Sequence, residues 1–238
     1  MTPEKLVEAL KQDSADELRS VILYGSAATD DYIEKKSDYN VLVVTQTLGI
    51  QTLKAFSKAA VAWEKAGNPA PLLFTEERLA QATDVFPIEL LDIYECHRVL
   101  YGENVVENLT IDPRNLRLQI EHELRGNLIK LRQHYLLTQG KNRAVIDLMT
   151  GSLSTFMVLF RATLRLFEKT VPMQKIVATE LLASHLPFDV TIFKEIQHLR
   201  DGTKSEKGLE IDPLFENYLK TIECVIDAVD AHLDYKGE

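Results

Sequence analysis

Apolar positions in the first hundred residues change their period several times, and each change marks an element. Leu6, Val7 and Leu10 repeat at helical spacing over residues 3–17, and Thr2-Pro3 ahead of them supplies an N-cap followed by proline at the first helical position. Two short unbroken apolar runs follow, Val21-Ile22-Leu23-Tyr24 and Val41-Leu42-Val43-Val44, both of strand length. Residues 52–65 return to the helical period, with Leu53, Phe56, Ala60 and Trp63 on one side and Gly67-Asn68-Pro69 as the stop; Trp63 reads as a core residue. Residues 71–74 form a short third strand, and Thr75-Glu76-Glu77 caps a helix that runs through Ala82. The apolar runs of residues 86–102 predict a further strand, closed by Val99-Leu100-Tyr101-Gly102.

Strand signals fade from Ile111 onward. Asp112-Pro113 and Asp212-Pro213 each offer an N-cap and a first-turn proline, and the periodicity predicts helices near residues 113–137, 143–169, 174–185, 190–199 and 213–233. Gly140, Pro172 and Pro187 punctuate them. The most apolar segment, residues 145–167, is interrupted by Asp147, Ser152, Ser154, Arg161 and Arg165, so it reads as the buried helix of an antiparallel bundle and not as a membrane span. The chain therefore reads as α+β: a mixed α+β domain over residues 1–110, then an all-α helical bundle over residues 111–238, with a ligand cleft between them.

Chemistry is concentrated in residues 21–44. The first apolar run ends at Gly25-Ser26, where a residue without Cβ lets backbone N–H groups turn outward. Ala27, Ala28, Thr29 and the acids Asp30 and Asp31 follow, before Ser37-Asp38-Tyr39-Asn40 opens the second run. Alternation along a strand puts Asp38 and Asn40 on one face, with Tyr39 and Val41 on the other.

Gly25-Ser26, a spacer of about a dozen residues and Asp38 entering an apolar strand resemble the signature of the nucleotidyltransferase superfamily typified by DNA polymerase beta and the kanamycin and lincosamide nucleotidyltransferases. Asn40 departs from it, because it stands where that family places a second carboxylate. The resemblance implies a mixed-sheet domain with a helical second domain. It also implies Mg²⁺ held by Asp38 with help from Asn40, phosphates of a nucleoside triphosphate held at Gly25 and Ser26, and a third carboxylate on a neighbouring strand as ligand or general base. Glu89 and Asp92 are the candidates for that carboxylate. Three residues apart on a strand, they would face opposite ways, and Glu89 is preferred because Ile-Glu-Leu-Leu resembles the family's third strand. Loss of a full charge at Asn40 weakens such a magnesium site, so two functions stay open. One is transfer of a nucleoside monophosphate from an NTP to a hydroxyl of a small molecule or protein. The other is an inactive, antitoxin-like module that binds a nucleotide or a partner protein.

Charge adds one qualification. The net balance of −9 argues against a general nucleic-acid binder, yet residues 111–170 hold 10 basic against 5 acidic residues while the first 110 hold 10 against 18. Within the basic third, Arg161 and Arg165 are four apart and share a helix face, as partners of carboxylates or as contacts to phosphate. Arg117 and His122 are read as surface helix positions, and His97-Arg98 as a strand-edge pair. Cys96 and Cys224 lack any metal or redox spacing, which suggests reduced, buried thiols of a cytosolic protein; the acidic, amphipathic N-terminus has no signal-peptide pattern. A homo-oligomer is compatible with all of these features.

Overall fold

The computed structural model describes residues 1–14, 16–28 and 38–232. The chain divides into two compact units, Met1–Asn115 and Leu116–Glu238. In the first, helix α1 (Pro3–Ser14) leads into strand β1 (Leu18–Tyr24), and β2 (Asn40–Thr45), helix α2 (Ile50–Lys65) and β3 (Leu72–Thr75) follow. Helices α3 (Glu76–Gln81) and α4 (Pro87–Glu95) precede β4 (His97–Gly102). The four strands make one mixed sheet in the order β3-β2-β1-β4, in which only β2 and β3 are parallel.

Each face of that sheet is covered. Val21, Leu23, Val41 and Val43 pack with Leu6 and Leu10 of α1 and with Phe56 and Trp63 of α2. Alternation sends Ile22, Leu42 and Val44 to the other face, against Leu79 of α3 and Leu90 and Ile93 of α4. Near-continuous apolar runs are what a sheet buried on both faces requires. Trp63 is fully enclosed, and its indole N–H donates to the Pro69 carbonyl at 2.9 Å.

Capping chemistry sets several boundaries as the sequence predicts. The Thr75 hydroxyl accepts from the Arg78 N–H at 3.3 Å at the start of α3, and Asp112 accepts from the Arg114 N–H at 2.8 Å at the start of α5 (Pro113–Thr138). Two expectations are corrected. Residues 87–95 are helical and not extended, because Pro87 occupies the first turn and Pro87, Leu90 and Ile93 recur at a spacing of three on the buried side. The final helix, α9 (Ile211–Ala231), begins ahead of Asp212, so that aspartate sits in its first turn and is not its cap.

In the second unit α6 (Asn142–Leu164) packs against α7 (Lys175–His185), α8 (Thr191–Arg200) and α9. It is long and apolar enough to cross a membrane, but here it is a core helix, with Met149, Leu153 and Phe160 fully buried. Phe156 meets Tyr218 of α9 edge-on, with ring centroids 5.8 Å apart. Helix α5 runs beside α9, joined by the stacked rings of Tyr135 and Phe215 at 4.5 Å. Cys96 is buried as expected, whereas Cys224 is partly exposed; neither is in a disulfide.

Candidate functional site

Gly25 closes β1 with φ +78°, the left-handed conformation that glycine adopts without strain, and opens a single 3₁₀ turn, Gly25–Ala28. Its N–H donates to the Cys96 carbonyl at 3.0 Å, and the Cys96 thiol donates to the Gly25 carbonyl at 3.6 Å. A Cβ at Gly25 would lie 3.6 Å from Asn40 Nδ2, so the turn and the first residue of β2 are neighbours. The backbone of Ser26 lies in the turn. Its side chain, like Thr29, Asp30, Asp31 and Ser37, lies outside the described residues.

Antiparallel register explains why these residues meet. Tyr24 pairs with Asn40 on one side and with His97 on the other, so Asn40, Tyr24 and His97 form one row across three strands with their side chains on one face. That row sits at the end of the sheet, beyond the apolar residues Leu42, Ile22 and Val99. Burial pushes the Tyr24 phenol above its ordinary value and keeps it a neutral hydrogen-bonding group. His97 is braced on both ring nitrogens, Nδ1 by the Tyr94 carbonyl at 3.0 Å and Nε2 by Asn104 Oδ1 at 3.1 Å.

Asp38 is exposed immediately before β2. Its setting is fixed by Tyr39, whose ring packs against Trp63 at 6.0 Å between centroids and whose N–H donates to the buried Asn68 Oδ1 at 3.1 Å. Asn68 in turn donates to the Trp63 carbonyl at 3.4 Å. With Tyr39 turned to the α2 face, alternation sends Asp38 and Asn40 to the α4 face.

The third-carboxylate candidates stand on α4, so the expected strand position is corrected. On a helix, residues three apart share a face instead of opposing one another, so Glu89 and Asp92 lie side by side. Cys96, the C-cap of α4, meets Gly25 at the end of that helix. Glu89 is exposed and Asp92 half-buried.

In the helical unit Arg161 is buried in the last turn of α6, where Nη1 lies 3.4 Å from the Met173 carbonyl and 3.5 Å from its sulfur. Arg165 is the C-cap of α6, so the helix ends sooner than its periodicity predicts. Arg117 is not a surface residue: it is buried between Glu121 at 2.7 Å and Asp230 at 3.3 Å, while His122 is exposed. Among the described residues no group of three or more His, Cys, Asp or Glu side chains could hold a metal ion. Tyr24, Cys96, Asn68 and Asn104 border the site without any sequence motif to mark them; strand register brings Tyr24, the end of α4 brings Cys96, and hydrogen bonds to Tyr39 and His97 bring Asn68 and Asn104.

No protein-family model matches the chain, and no curated protein matches it by sequence. Its structure is similar to the crystal structure of spectinomycin adenyltransferase AAD(9) from Enterococcus faecialis with ATP and spectinomycin. The two share 13% identity and a TM-score of 0.53, over 98% of this chain and 100% of that one. The likeness is one of fold, and it makes this chain an α+β protein with a nucleotidyltransferase-like architecture.

Proposed function

We propose that the chain transfers a nucleoside monophosphate from an NTP to a hydroxyl group of a small molecule or protein. The observation that carries this reading is the left-handed Gly25 turn set against Asn40 at the end of two paired strands, with Asp38 just beyond and Cys96, at the end of the helix that carries Glu89 and Asp92, on the same glycine. A solved adenyltransferase of the same fold, crystallised with ATP and spectinomycin, supports it.

N–H groups of the Gly25–Ala28 turn other than that of Gly25, which donates to Cys96, would hold phosphate oxygens. One carboxylate and one amide oxygen, from Asp38 and Asn40, suit Mg²⁺, a hard cation usually held by one or two carboxylates together with substrate phosphates. When bound, that ion would neutralise phosphate charge in a unit whose own balance is acidic. Glu89, or Asp92 on the same face, would take the proton of the acceptor hydroxyl as its oxygen bonds to the α-phosphorus. The bond between that phosphorus and the bridging oxygen breaks, and pyrophosphate leaves with the electron pair.

Asn40 favours a second reading, a nucleotide-binding module that no longer turns over, because it removes a charge on which the metal would depend. Pyrophosphate release with each of the four NTPs, with and without Mg²⁺ and a polyhydroxylated acceptor, tests both. Release that needs Mg²⁺ and falls at least ~100-fold in Asp38→Ala supports transfer. Nucleotide binding without release, unchanged in Asp38→Ala, leaves the binding module.

A further inference from the structure

Helix α5 is apolar on two sides. Leu116, Ile120, Leu124, Leu128 and Leu131 face the core of the helical unit. On the second side Leu118, Ile129 and Leu136 are 54%, 55% and 77% exposed. Their spacings of 11 and 7 residues are whole numbers of turns to within about 20°, so they form a straight stripe along the helix. Arg125 and Arg132 lie between them on the same stripe. Leaving such a stripe in water is unfavourable, and it marks an interaction surface.

The partner can be read from the neighbouring helix. A groove of about 420 Å³ is lined by Arg125, Arg132, Leu128 and Ile129 of α5 and by Glu223, Ile226 and Asp227 of α9. It is followed by an apolar pocket of about 530 Å³ at Tyr135, Phe215 and Leu219. Arg125 reaches Asp230 at 3.4 Å, Arg132 pairs with Glu223, and Tyr135 stacks on Phe215. The two helices therefore run antiparallel, with a basic ridge and an acidic ridge at matching heights on either side of an apolar floor.

We infer that this face binds a second copy of the same chain about a two-fold axis running along the α5–α9 groove. Such an axis preserves height and exchanges sides, so α5 of each copy lies over α9 of the other. Arg125 and Arg132 of one copy then stand over Asp227, Asp230 and Glu223 of the second, in a register already set by the intramolecular pairs. Leu136 of one copy stands over the pocket at Phe215 and Leu219 of the second. Laying α5 on α5 instead would oppose arginine to arginine, which is costly. The stripe is ~27 Å long and two helices are ~20 Å across, a projected footprint of roughly 540 Å², about two thirds of the area per partner in a standard interface.

Sedimentation of the full chain gives the test, with a mass of twice 27.0 kDa expected. Leu136→Glu and Arg132→Glu should each weaken dimerisation at least about tenfold, and Arg132→Glu with Glu223→Arg should restore it, because the pair is reversed in both copies. Leu136 faces solvent in the single chain, so Leu136→Glu keeps its helical circular dichroism and decides the matter even if the Arg132 variant unfolds. A wild-type monomer at about 100 μM, the weak end for a specific contact, overturns the inference and leaves the stripe to another partner. A dimer unmoved by Leu136→Glu overturns it too, by placing the contact elsewhere.

Discussion

Tyr39 and Asn68, 29 residues apart in sequence, are joined by a hydrogen bond from the Tyr39 N–H to Asn68 Oδ1 at 3.1 Å. The residue between Asp38 and Asn40 is thereby anchored to a buried amide that also bonds to the Trp63 carbonyl. Asn68→Ala leaves the Tyr39 N–H without this acceptor and should cost about 1–3 kcal/mol in urea denaturation, and Asn68→Asp should be no milder at neutral pH, because it keeps the acceptor but buries a carboxylate against the Trp63 carbonyl. In the transfer reading kcat should fall more in Asn68→Ala than this stability loss explains, because the Asp38–Asn40 segment loses its anchor.

Gly25 and Gly102 share a left-handed conformation, φ +78° and +76°, yet they should respond differently to alanine. A Cβ at Gly25 meets only Asn40 Nδ2 at ordinary contact distance, so Gly25→Ala costs conformational strain alone, ~1–2 kcal/mol. At Gly102 the Cβ would lie 1.8 Å from the Arg19 carbonyl oxygen, and the backbone must move. Thermal denaturation should show Gly102→Ala destabilised by at least ~3 kcal/mol, at the limit of folding.

Glu121 gives the acid limb of stability a molecular origin. The hydrogen bond from Arg125, together with the charge of Arg117, holds its carboxyl below the ordinary value of 4.5. A lowered native value means stability that is present above about pH 4.5 and lost as pH falls through the native value. Glu121→Gln should cost about 1–3 kcal/mol at pH 7 by leaving the buried Arg117 less well compensated, and it should flatten the acid limb of the pH–stability curve.

Tyr218 acts at the opposite end of the scale. Burial pushes its phenol well above the ordinary value of 10.0, against a smaller opposing effect of the Ser152 hydroxyl 3.1 Å away. A raised native value means stability that is complete below about pH 10 and lost above it, because only the unfolded chain ionises there. Tyr218→Phe should lose about 1 kcal/mol at neutral pH with the hydrogen bond, yet fall less steeply between pH 9 and 11 in urea titrations.

Asn40→Asp decides how far the missing charge limits the chemistry. If the site transfers nucleotides, a second carboxylate on the Asp38 face should tighten Mg²⁺ binding and raise turnover, read as pyrophosphate release across a magnesium titration. If the chain only binds nucleotide, the added charge raises a carboxylate pKa and no release appears.

Short-range chemistry carried most of the reading from residues alone. Thr75, Asp112 and Thr2 mark helix starts because a side-chain oxygen can satisfy only the N–H groups two or three residues on, and the matching hydrogen bonds are present. Asp212 reads the same way and misleads, since Ile211 is drawn into the helix by burial that a local signal does not contain. Residues 87–95 mislead for a related reason: a short apolar run has no period long enough to separate strand from helix, and the choice falls to whether it packs on a sheet face.

The α+β class, the helix starts at Thr2, Thr75 and Asp112 and the glycine turn at residue 25 were legible in the residues alone, because they depend on Cβ sterics and capping within a few positions. It took tertiary packing to make residues 87–95 a helix with Glu89 and Asp92 on one face, to set Tyr24 and His97 in one row with Asn104 against it, to bury Arg117 between two acids and to leave α5 a second apolar side. Each of those follows from register between strands or packing between helices far apart in the chain, where the energy lies in partners that no local window contains.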